Sequence, residues 1–479
     1  MLPSSSVPQV DPGKEEEAQL LESSKYHRSD ANGAAPAQFG APSNGSATGY
    51  SILEISTGER QSSSSSSGSG VAGAVFNLAT SIIGAGIMAL PATMRVLGVP
   101  LGVAMILAMG VLSEISLEIV VRFSTQLKAW SYGEMVGAAC GRAGKLVSQV
   151  CIIVNNSGIL IVYLIIIGDV LSGSSSGSSH HPGLLKSLDR RLVLLATMLL
   201  VLAPLSSLKR IDSLRFSSAA SVALAVVFVI LSSGVGVVKG IQGKLTTPRS
   251  LPSLASRKSV LELLTVVPIM TNAFICHFNI QPIYCELKNR SAARMNKVGR
   301  ISTLLCMSVY VATALSGYLL FGESTASDIL SNFDHDLGIA DSTLINDVIR
   351  IGYVLHLMLV FPVIHFSLRQ NVDAILFPDP KQQLADSTVR FWALTASLLA
   401  IVFVGSAFIP NIWIAFQFTG ATAGLSLGFM FPALVALRLS KAREKGLECL
   451  AWTMLVLAGV ASFLGLTTNI YNVVTHHVD

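Results

Sequence analysis

Residues 75–94, VFNLATSIIGAGIMALPATM, form an apolar segment that is interrupted by Gly84, Ala85 and Gly86. A second apolar segment, LLTVVPIMTNAFICHFNIQPIY at residues 263–284, contains prolines and polar side chains. A helix in lipid satisfies its backbone hydrogen bonds internally, so it is broken only where the freed groups face protein or a ligand cavity. Two such segments at matching places in the two halves of a chain indicate a binding site near the middle of a membrane, as in secondary transporters.

The composition indicates a membrane protein. The chain has 479 residues, of which 51% are apolar and 13% charged, and its mean hydropathy is +0.61. Soluble proteins carry about 25% charged residues. We therefore predict an all-α integral membrane protein that contacts the lipid bilayer, binds no nucleic acid and is not an enzyme. We expect no metal or other cofactor, because the six cysteines show no metal-ligand spacing.

Eleven apolar runs between residues 71 and 473 are candidate membrane spans of roughly 20 residues each. In chain order they are residues 71–96, 100–123, 146–171, 191–208, 213–238, 262–285, 299–321, 346–370, 389–409, 412–438 and 450–473. Residues 1–70 are polar and rich in serine and glycine, which predicts a disordered tail without a cleavable signal. Residues 474–479 form a short C-terminal tail.

The basic residues predict the orientation of these spans. Cytoplasmic loops retain Lys and Arg. With the N-terminus in the cytosol, 23 of the 33 Lys and Arg residues lie on the cytosolic side. The loop after the seventh span, predicted on the opposite side, is acidic instead. We therefore predict a cytosolic N-terminal tail and a non-cytosolic C-terminal tail.

The first interruption predicts a site for a carboxylate. Gly84, Ala85 and Gly86 would expose backbone N–H groups at the end of a half-helix, where anions bind. Glycine also lets a ligand approach the backbone closely. Thr80, one turn earlier, is a further candidate for substrate contact. The alternative interpretation is a close crossing of two helices at small residues.

The second interruption predicts partners for an ammonium group. Thr271 and Asn272 follow Pro268 and offer a hydroxyl, an amide and freed carbonyls. His277 lies about two turns beyond the proline. An ionisable residue inside a span is a functional candidate. The alternative for His277 is a histidine with satisfied hydrogen bonds near the inner interface.

Four residues are candidates for ion coupling. The Asn77 side-chain oxygen suits a hard cation such as sodium, although a helix-packing amide is the alternative. His277, His356 and His365 can change charge near neutral pH and therefore carry protons. Glu114, in the second span, is a further candidate for a proton relay.

Three glycines of the tenth span recur at intervals of four residues: Gly420, Gly424 and Gly428. Small residues at this spacing allow the backbones of two helices to approach closely. We predict that all three serve helix packing.

These residues resemble a known family. VFNLATSIIGAGIMALP (75–91) resembles the first-helix signature of the amino acid/auxin permease superfamily, and FICHFNIQPIYCELKNRS (274–291) resembles its sixth-helix signature. The closest resemblance is to the sodium-coupled neutral amino acid transporters and the plant and fungal vacuolar amino acid transporters. NNSGILIVYLI and FPVIHFSLR also resemble this family, and the match covers about residues 71–473.

The resemblance implies eleven spans, the first ten as two inverted five-helix repeats in the LeuT-like arrangement. It implies amino acid transport by alternating access, with Gly84, Ala85 and Gly86 at the substrate carboxylate and Thr271 and Asn272 beside it. It also implies that Asn77 corresponds to an asparagine linked to sodium in sodium-coupled members.

The chain departs from the sodium-coupled pattern in three ways. The eighth helix reads HLMLVFPVIHF, without the hydroxyl residue that such members carry just before the proline. The loop at residues 239–261 lacks the paired cysteines of many animal plasma-membrane members. The tail contains EEAQLL (16–21), which resembles a dileucine sorting signal. These departures favour a proton over sodium, and a vacuolar or other endomembrane over the plasma membrane.

The sequence therefore predicts a secondary active transporter for neutral or acidic amino acids. Its partners would be the amino acid, the lipid bilayer and H⁺ or Na⁺ as coupling ion. The alternative hypothesis is an amino acid sensor that uses the same fold and signals through its cytosolic tail.

Cysteines introduced singly at Ser65, Ser291 and Asp479 test the predicted orientation. We expect an impermeant thiol reagent to label the first two from the cytosolic side and the third from the other side, because an odd number of spans separates the two termini. The unmodified chain is the control for its native cysteines. Labelling of all three positions from one side would contradict the eleven-span topology.

Overall fold

The computed structural model describes residues 68–174, 181–182, 188–245, 247–254, 257–339, 341–378, 384–408, 412–440 and 444–476. The sequence predictions for the N-terminal tail through residue 67, including EEAQLL, lie outside these residues. Almost all of the described chain is helical, apart from one pair of two-residue strands, β1 (Gly173–Ser174) and β2 (His181–Pro182).

Helices occupy every predicted span. They are α1 (Val71–Ile82), α2 (Gly86–Leu97), α3 (Val99–Leu127), α4 (Tyr132–Ser172), α5 (Arg190–Thr197), α6 (Ala203–Ser206), α7 (Arg215–Ile241), α8 (Arg257–Phe274), α9 (Ile280–Glu286), α10 (Ala292–Phe321), α11 (Ser342–Leu376), α12 (Thr388–Phe408), α13 (Ile412–Thr419), α14 (Phe431–Leu439) and α15 (Lys445–His476). Two π-helical segments, Gly420–Gly424 and Ser426–Met430, join α13 to α14 in the tenth span.

Length and hydropathy qualify most of these helices as membrane spans. In the described part of the chain, nine helices are long and apolar enough to cross a membrane, and the bent pair α1 and α2 makes a tenth. The predicted fourth span is shorter, because α5, a π segment (Met198–Leu202) and α6 contribute 8, 5 and 4 residues. A helix of that length covers about 26 Å, slightly less than a bilayer core of about 30 Å.

The first broken span is interrupted where its sequence predicts. α1 ends at Ile82, Ile83 is extended, and α2 begins at Gly86. The two helices are bent by 55° relative to each other. Every residue from Asn77 to Met94 is buried, so the backbone groups freed by the break lie inside the protein.

The second broken span is interrupted later than we expected. α8 continues through Pro268 to Phe274, and the helix is lost at Ile275 and Cys276 before a 3₁₀ turn (His277–Asn279) and α9. Thr271 and Asn272 therefore lie in the last turn of α8 rather than in the break.

Glycines make room for Pro268 inside α8. A Cβ atom on Gly420 would lie 2.2 Å from the Pro268 carbonyl oxygen, and one on Gly465 would lie 2.6 Å from the Pro268 ring. Proline normally bends or ends a helix because its ring clashes with the preceding turn. Here the two neighbouring spans approach closely enough to enclose the proline, so the helix continues past it.

The two broken spans meet at the centre of the protein. α2 packs against α8, and a Cβ atom on Gly86 would lie only 2.8 Å from the Ala273 Cα atom. α10 packs against both α1 and α2, and α11 packs against α4 and α7. The breaks are thereby enclosed by intact spans.

A short 3₁₀ helix, Ile329–Asp334, contacts α2 and α11 on the predicted non-cytosolic side. Asp328 caps this helix, since its Oδ1 accepts a hydrogen bond of 2.9 Å from the Leu330 N–H. The Asp334 carboxylate forms an ion pair of 2.7 Å with Arg350 of α11, and both side chains are buried. The acidic loop is thus folded against the outer half of the first broken span.

Burial, the largest cause, and the neighbouring carboxylates of Asp169 and Asp334 together raise the pKa of Asp328 to about 7. The hydrogen bond from Leu330 opposes this shift in pKa. Because the folded pKa exceeds the usual value of 3.8, protonation of Asp328 stabilises the fold in acid. This contribution is lost as the pH rises towards and through 7.

Asp328→Asn should therefore raise the melting temperature at pH 8 by a few degrees and leave it unchanged at pH 4. Asparagine retains the capping oxygen but carries no charge to bury. Thermal unfolding of the purified protein at both pH values measures the effect. Asp336→Asn is the control, since the Gly338 N–H lowers the pKa of that exposed carboxyl. An equal shift for Asp328→Asn at both pH values would contradict the assignment.

Candidate functional site

Tyrosine hydroxyls donate hydrogen bonds to the carbonyl groups at the first break. The Tyr353 hydroxyl of α11 donates a hydrogen bond of 2.9 Å to the Gly84 carbonyl. The Tyr310 hydroxyl of α10 lies 2.6 Å from the Ile82 carbonyl and 2.7 Å from the Ala273 carbonyl. Tyr310 therefore joins the last turns of α1 and α8, and both broken spans are held by one hydroxyl group.

A third tyrosine covers the N-terminus of α2. The Tyr163 hydroxyl of α4 lies against the Ala85 backbone. A Cβ atom on Gly84 would lie 2.0 Å from this hydroxyl oxygen, so only glycine fits there. A phenol oxygen thus occupies the place that the sequence analysis predicted for a carboxylate oxygen.

These three tyrosines were not predicted from the sequence. Each lies in an apolar stretch of a different span, and its hydroxyl reaches a partner more than 35 positions away in the chain. Tyr163 belongs to NNSGILIVYLI, which we quoted only for its family resemblance. A tyrosine within an apolar run could have indicated such a role, because a buried hydroxyl needs a hydrogen-bond partner.

Thr80 and Asn77 face α7 and its preceding turn rather than the break. The Thr80 hydroxyl donates a hydrogen bond of 3.0 Å to the Ser218 carbonyl, and it lies 3.2 Å from the Ser221 hydroxyl. The Asn77 Nδ2 donates a hydrogen bond of 3.2 Å to the Ile211 carbonyl. The Asn77 Oδ1 is buried without a partner. The structure therefore does not bring Thr80 together with Gly84, Ala85 and Gly86.

Thr271 and Asn272 lie beside the tenth span. The Thr271 hydroxyl donates within its own helix to the Val267 carbonyl at 2.9 Å. The Asn272 Nδ2 donates a hydrogen bond of 3.1 Å to the Thr419 hydroxyl, whereas its Oδ1 is buried without a partner. The polar end of Asn272 is thus only partly satisfied.

The three candidate histidines are buried in different surroundings. His356 lies near the first break, where its Nδ1 is 2.7 Å from the Ser221 carbonyl and its ring also contacts the Ile83 backbone. His277 lies at the second break, in edge contact with Phe429 at 6.4 Å between ring centroids. Its ring lies against the Ser113 backbone, but neither ring nitrogen makes a hydrogen bond of normal geometry.

His365 lies apart from both breaks. Its ring stacks on Phe361 at 6.2 Å between centroids and interacts with the charge of Arg369. The Arg369 guanidinium donates to the Ser206 and Leu208 carbonyls at 2.7 and 3.1 Å, which ties α11 to the end of α6. The surroundings of His365 are those of a structural residue that packs three spans together.

Glu114 is half-buried between α3 and α10. Its Oε2 accepts a hydrogen bond of 2.8 Å from the Thr303 hydroxyl, and its Oε1 is buried without a partner. A Cβ atom on Gly299 would lie 3.3 Å from Oε1, so the glycine leaves room for the carboxyl group. Arg300, the neighbouring cation, pairs with Glu118.

The fold and the buried break define a class of protein: a polytopic membrane protein built around interrupted spans, as in secondary transporters. The sequence model of the family "Transmembrane amino acid transporter protein" matches residues 67–475. The chain belongs to this family, which confirms the resemblance noted in the sequence. Proteins of this family are transporters and not enzymes.

Two similar proteins come from Arabidopsis thaliana. "Amino acid transporter AVT6E" is 54% identical over 420 residues, which cover 85% of this chain and 85% of that protein. "Amino acid transporter AVT6A" is 48% identical over 413 residues, which cover 84% of this chain and 89% of that protein.

One solved structure with a similar fold is the Eremococcus coleocola manganese transporter in complex with an aromatic bis-isothiourea substituted compound. The TM-score is 0.50 at 11% identity, and the alignment covers 84% of this chain and 86% of that chain. The likeness concerns the fold alone.

Tyr310→Phe should lower the free energy of unfolding by about 1–3 kcal/mol, because it leaves buried carbonyls of α1 and α8 without their donor. Thermal unfolding of the purified protein measures the change. Ser308→Ala is the matched control, since its hydroxyl lies on the exposed side of the same helix and bonds only within it. Equal melting temperatures for Tyr310→Phe and the control would show that the hydroxyl does not hold the breaks together.

Proposed function

We propose that the protein is a secondary active transporter that moves neutral or acidic amino acids by alternating access. We further propose eleven spans, with the first ten arranged as two inverted repeats of five. The observation that carries the proposal is the buried break between Ile82 and Gly86, where tyrosine hydroxyls of two intact spans bond the Ile82 and Gly84 carbonyls. Membership of an amino acid transporter family supports the class of substrate.

The α-carboxylate of the substrate would bind at the N-terminus of α2. The first N–H groups of a helix have no partner within it, and the helix dipole favours an anion there. The Tyr163 hydroxyl lies against the Ala85 backbone at this place. A carboxylate would replace the hydroxyl as acceptor, and the released hydroxyl would be free to donate to it.

The α-ammonium group would bind carbonyl oxygens at the same break. The Gly84 carbonyl accepts from the Tyr353 hydroxyl at 2.9 Å and from the Ile87 N–H at 3.3 Å. An ammonium donor would replace the longer of these two hydrogen bonds. The amino and carboxyl groups of one small zwitterion could thus be bound by backbone atoms alone. This accounts for an amino acid site without a charged side chain at the break.

Contacts at both ends of the broken spans support an alternating mechanism. On the predicted cytosolic side, the Ser69 N–H donates to the Glu286 carbonyl at 2.8 Å, and the Lys288 N–H donates to the Ser69 carbonyl at 2.9 Å. On the other side, the 3₁₀ helix Ile329–Asp334 packs on α2. Each access path would open when the contacts on its side separate, while the contacts on the opposite side persist.

We propose H⁺ rather than Na⁺ as the coupling ion. Asn77 offers one unpartnered buried oxygen. The eighth span, α11, presents Val360, Phe361 and Pro362, whose side chains provide no oxygen for a hard cation. His356 is the proposed proton carrier among the three histidines, because it contacts the backbone of the first break.

The geometry of His356 supports this choice. Its Nδ1 faces the Ser221 carbonyl at 2.7 Å, so Nδ1 carries a proton and donates. A neutral imidazole has one N–H group, and Nε2 makes no hydrogen bond of normal geometry. A second proton on the ring would make Nε2 a hydrogen-bond donor beside the Ile83 backbone. Protonation would thus change the hydrogen bonding at the substrate site itself.

We propose a vacuolar or other endomembrane location. The tail sequence EEAQLL is the sequence feature in favour, since acidic dileucine signals direct proteins to such compartments.

Uptake of radiolabelled amino acids into proteoliposomes tests the proposal, with sodium and pH gradients imposed separately. We expect uptake to persist without sodium and to increase several-fold with an imposed pH gradient. His356→Ala should abolish the response to pH while substrate exchange across the membrane continues, because exchange needs no net proton movement. His365→Ala is the matched control, since His365 lies on the same helix away from the break.

Strict sodium dependence with uptake that is insensitive to pH would contradict proton coupling. It would instead make Asn77 and the carbonyls of the broken spans the ion site. Absence of uptake or exchange for every amino acid of the panel would contradict amino acid transport.

A further inference from the structure

The three glycines of the tenth span differ in their surroundings. Gly420 is required for packing, because its Cβ atom would lie 2.2 Å from the Pro268 carbonyl oxygen. At Gly428 the nearest atoms would be 3.9 Å away, which is ordinary contact. At Gly424 the nearest atom, at 3.3 Å, is the Thr419 carbonyl oxygen of the same span. The close approach predicted for packing is present at Gly420, whereas for Gly424 and Gly428 packing stays a prediction.

Polar atoms of the second broken span face these two glycines. The Asn272 Oδ1 would lie 3.8 Å from a Cβ atom on Gly424, and this buried oxygen has no hydrogen-bond partner. The His277 Cε1 would lie 3.9 Å from a Cβ atom on Gly428. The imidazole is fully buried, and neither nitrogen makes a hydrogen bond of normal geometry. The Thr271 methyl group lies between them, 3.9 Å from each Cβ position.

Such atoms are costly to bury unless another group satisfies them. A buried donor or acceptor without a partner costs the free energy of its desolvation, so a few such atoms close together point to a missing partner. An amide oxygen and an imidazole nitrogen together suit a ligand that both donates and accepts hydrogen bonds. A ligand side chain that ends in a hydroxyl, carboxamide or carboxyl group has this property.

The backbone of the tenth span is irregular at the same place. Gly420–Gly424 and Ser426–Met430 are two consecutive π-helical segments. Single π turns inside α-helices are uncommon and occur frequently at functional sites. The irregularity surrounds Gly424 and Gly428, and the Leu427 and Gly428 carbonyls there accept hydrogen bonds from the Tyr132 and Ser116 hydroxyls.

From this juxtaposition we infer that the glycine face of the tenth span (Gly424 and Gly428) and the polar face of the second broken span (Thr271, Asn272 and His277) form the subsite for the substrate side chain. The subsite takes short side chains that end in a hydrogen-bonding group. The inference rests on the proposed amino acid transport, and it adds the residues that set specificity.

The absence of a Cβ atom at Gly424 and Gly428 sets the length limit. Each added methyl group would project towards Asn272 or His277 and would occupy the space between the two faces. The unsatisfied polar atoms set the preference for polar side chains, because an apolar side chain would leave them buried and unpaired. A site of this kind rejects a substrate that lacks the hydrogen-bonding group more strongly than one that differs by a methylene.

Gly428→Ala tests the length limit in the proteoliposome assay. We expect the ratio of glutamine uptake to alanine uptake to fall at least tenfold, because the added methyl group shortens the subsite. Gly459→Ala is the matched control, since a Cβ atom there would meet no atom within 4 Å and the residue lies in α15. Its ratio should equal that of the unmodified protein. An unchanged ratio in folded Gly428→Ala would overturn the inference.

Thr271→Ala tests the same subsite in the opposite direction. Removal of the methyl group that lies between the glycines should raise the ratio of glutamine to alanine uptake several-fold. A gain for the longer substrate cannot result from a protein that fails to fold. A fall in this ratio, or no change, would overturn the inference.

The preference of the subsite for polar groups is measured with threonine and valine, which have nearly the same shape. We expect the unmodified protein to favour threonine at least tenfold, and Asn272→Ala to reduce this preference to near equality. Equal uptake of both by the unmodified protein would overturn the polar subsite while leaving amino acid transport intact. Absence of uptake for every amino acid would instead contradict the proposed function.

Discussion

The structure depends on one constraint: the backbone groups freed by two helix breaks inside the membrane must find partners within the protein. At the first break, hydroxyls of Tyr310 and Tyr353 bond the freed carbonyls, and the Tyr163 hydroxyl lies against the Ala85 backbone. Tyr310 reaches carbonyls of both broken spans, so the two interruptions are held in one place. A transporter built in this way can exchange a hydroxyl for a substrate group with little loss of hydrogen bonding, because either one satisfies the backbone.

The two breaks are satisfied to different degrees. The first is closed by side-chain hydroxyls, whereas Asn272 and His277 near the second retain polar atoms without partners of normal geometry. Under the proposed function, this difference would place the backbone of the substrate at the first break and its side chain at the second. A common amino acid backbone can then be recognised by main-chain atoms, while specificity depends on side chains that can vary among relatives. Glycines at both breaks keep the facing surfaces close.

Several charged residues, including Asp334, Arg350 and Glu286, lie away from the breaks. Asp334 and Arg350 form an ion pair in the outer loop region. Glu286 lies at the C-terminal end of the second broken span, where its carboxylate accepts a hydrogen bond from the Asp212 N–H. Burying a charge costs much free energy unless it is paired, so charges near the span ends are the less costly arrangement. Under the proposed function, His356 near the first break is the residue whose protonation would affect transport.

The sequence by itself determined the membrane-spanning helices and the first break, since hydropathy and the Gly84–Gly86 interruption are local properties of the chain. Packing decided the rest. Pro268 suggested an early second break, but Gly420 and Gly465 enclose the proline and α8 continues to Phe274. Likewise, the direction of a side chain and the partner of a hydroxyl depend on which helices meet, because those contacts join residues that are far apart in the chain. The tyrosines at the break and the turn of Thr80 towards α7 were therefore evident only in the tertiary structure.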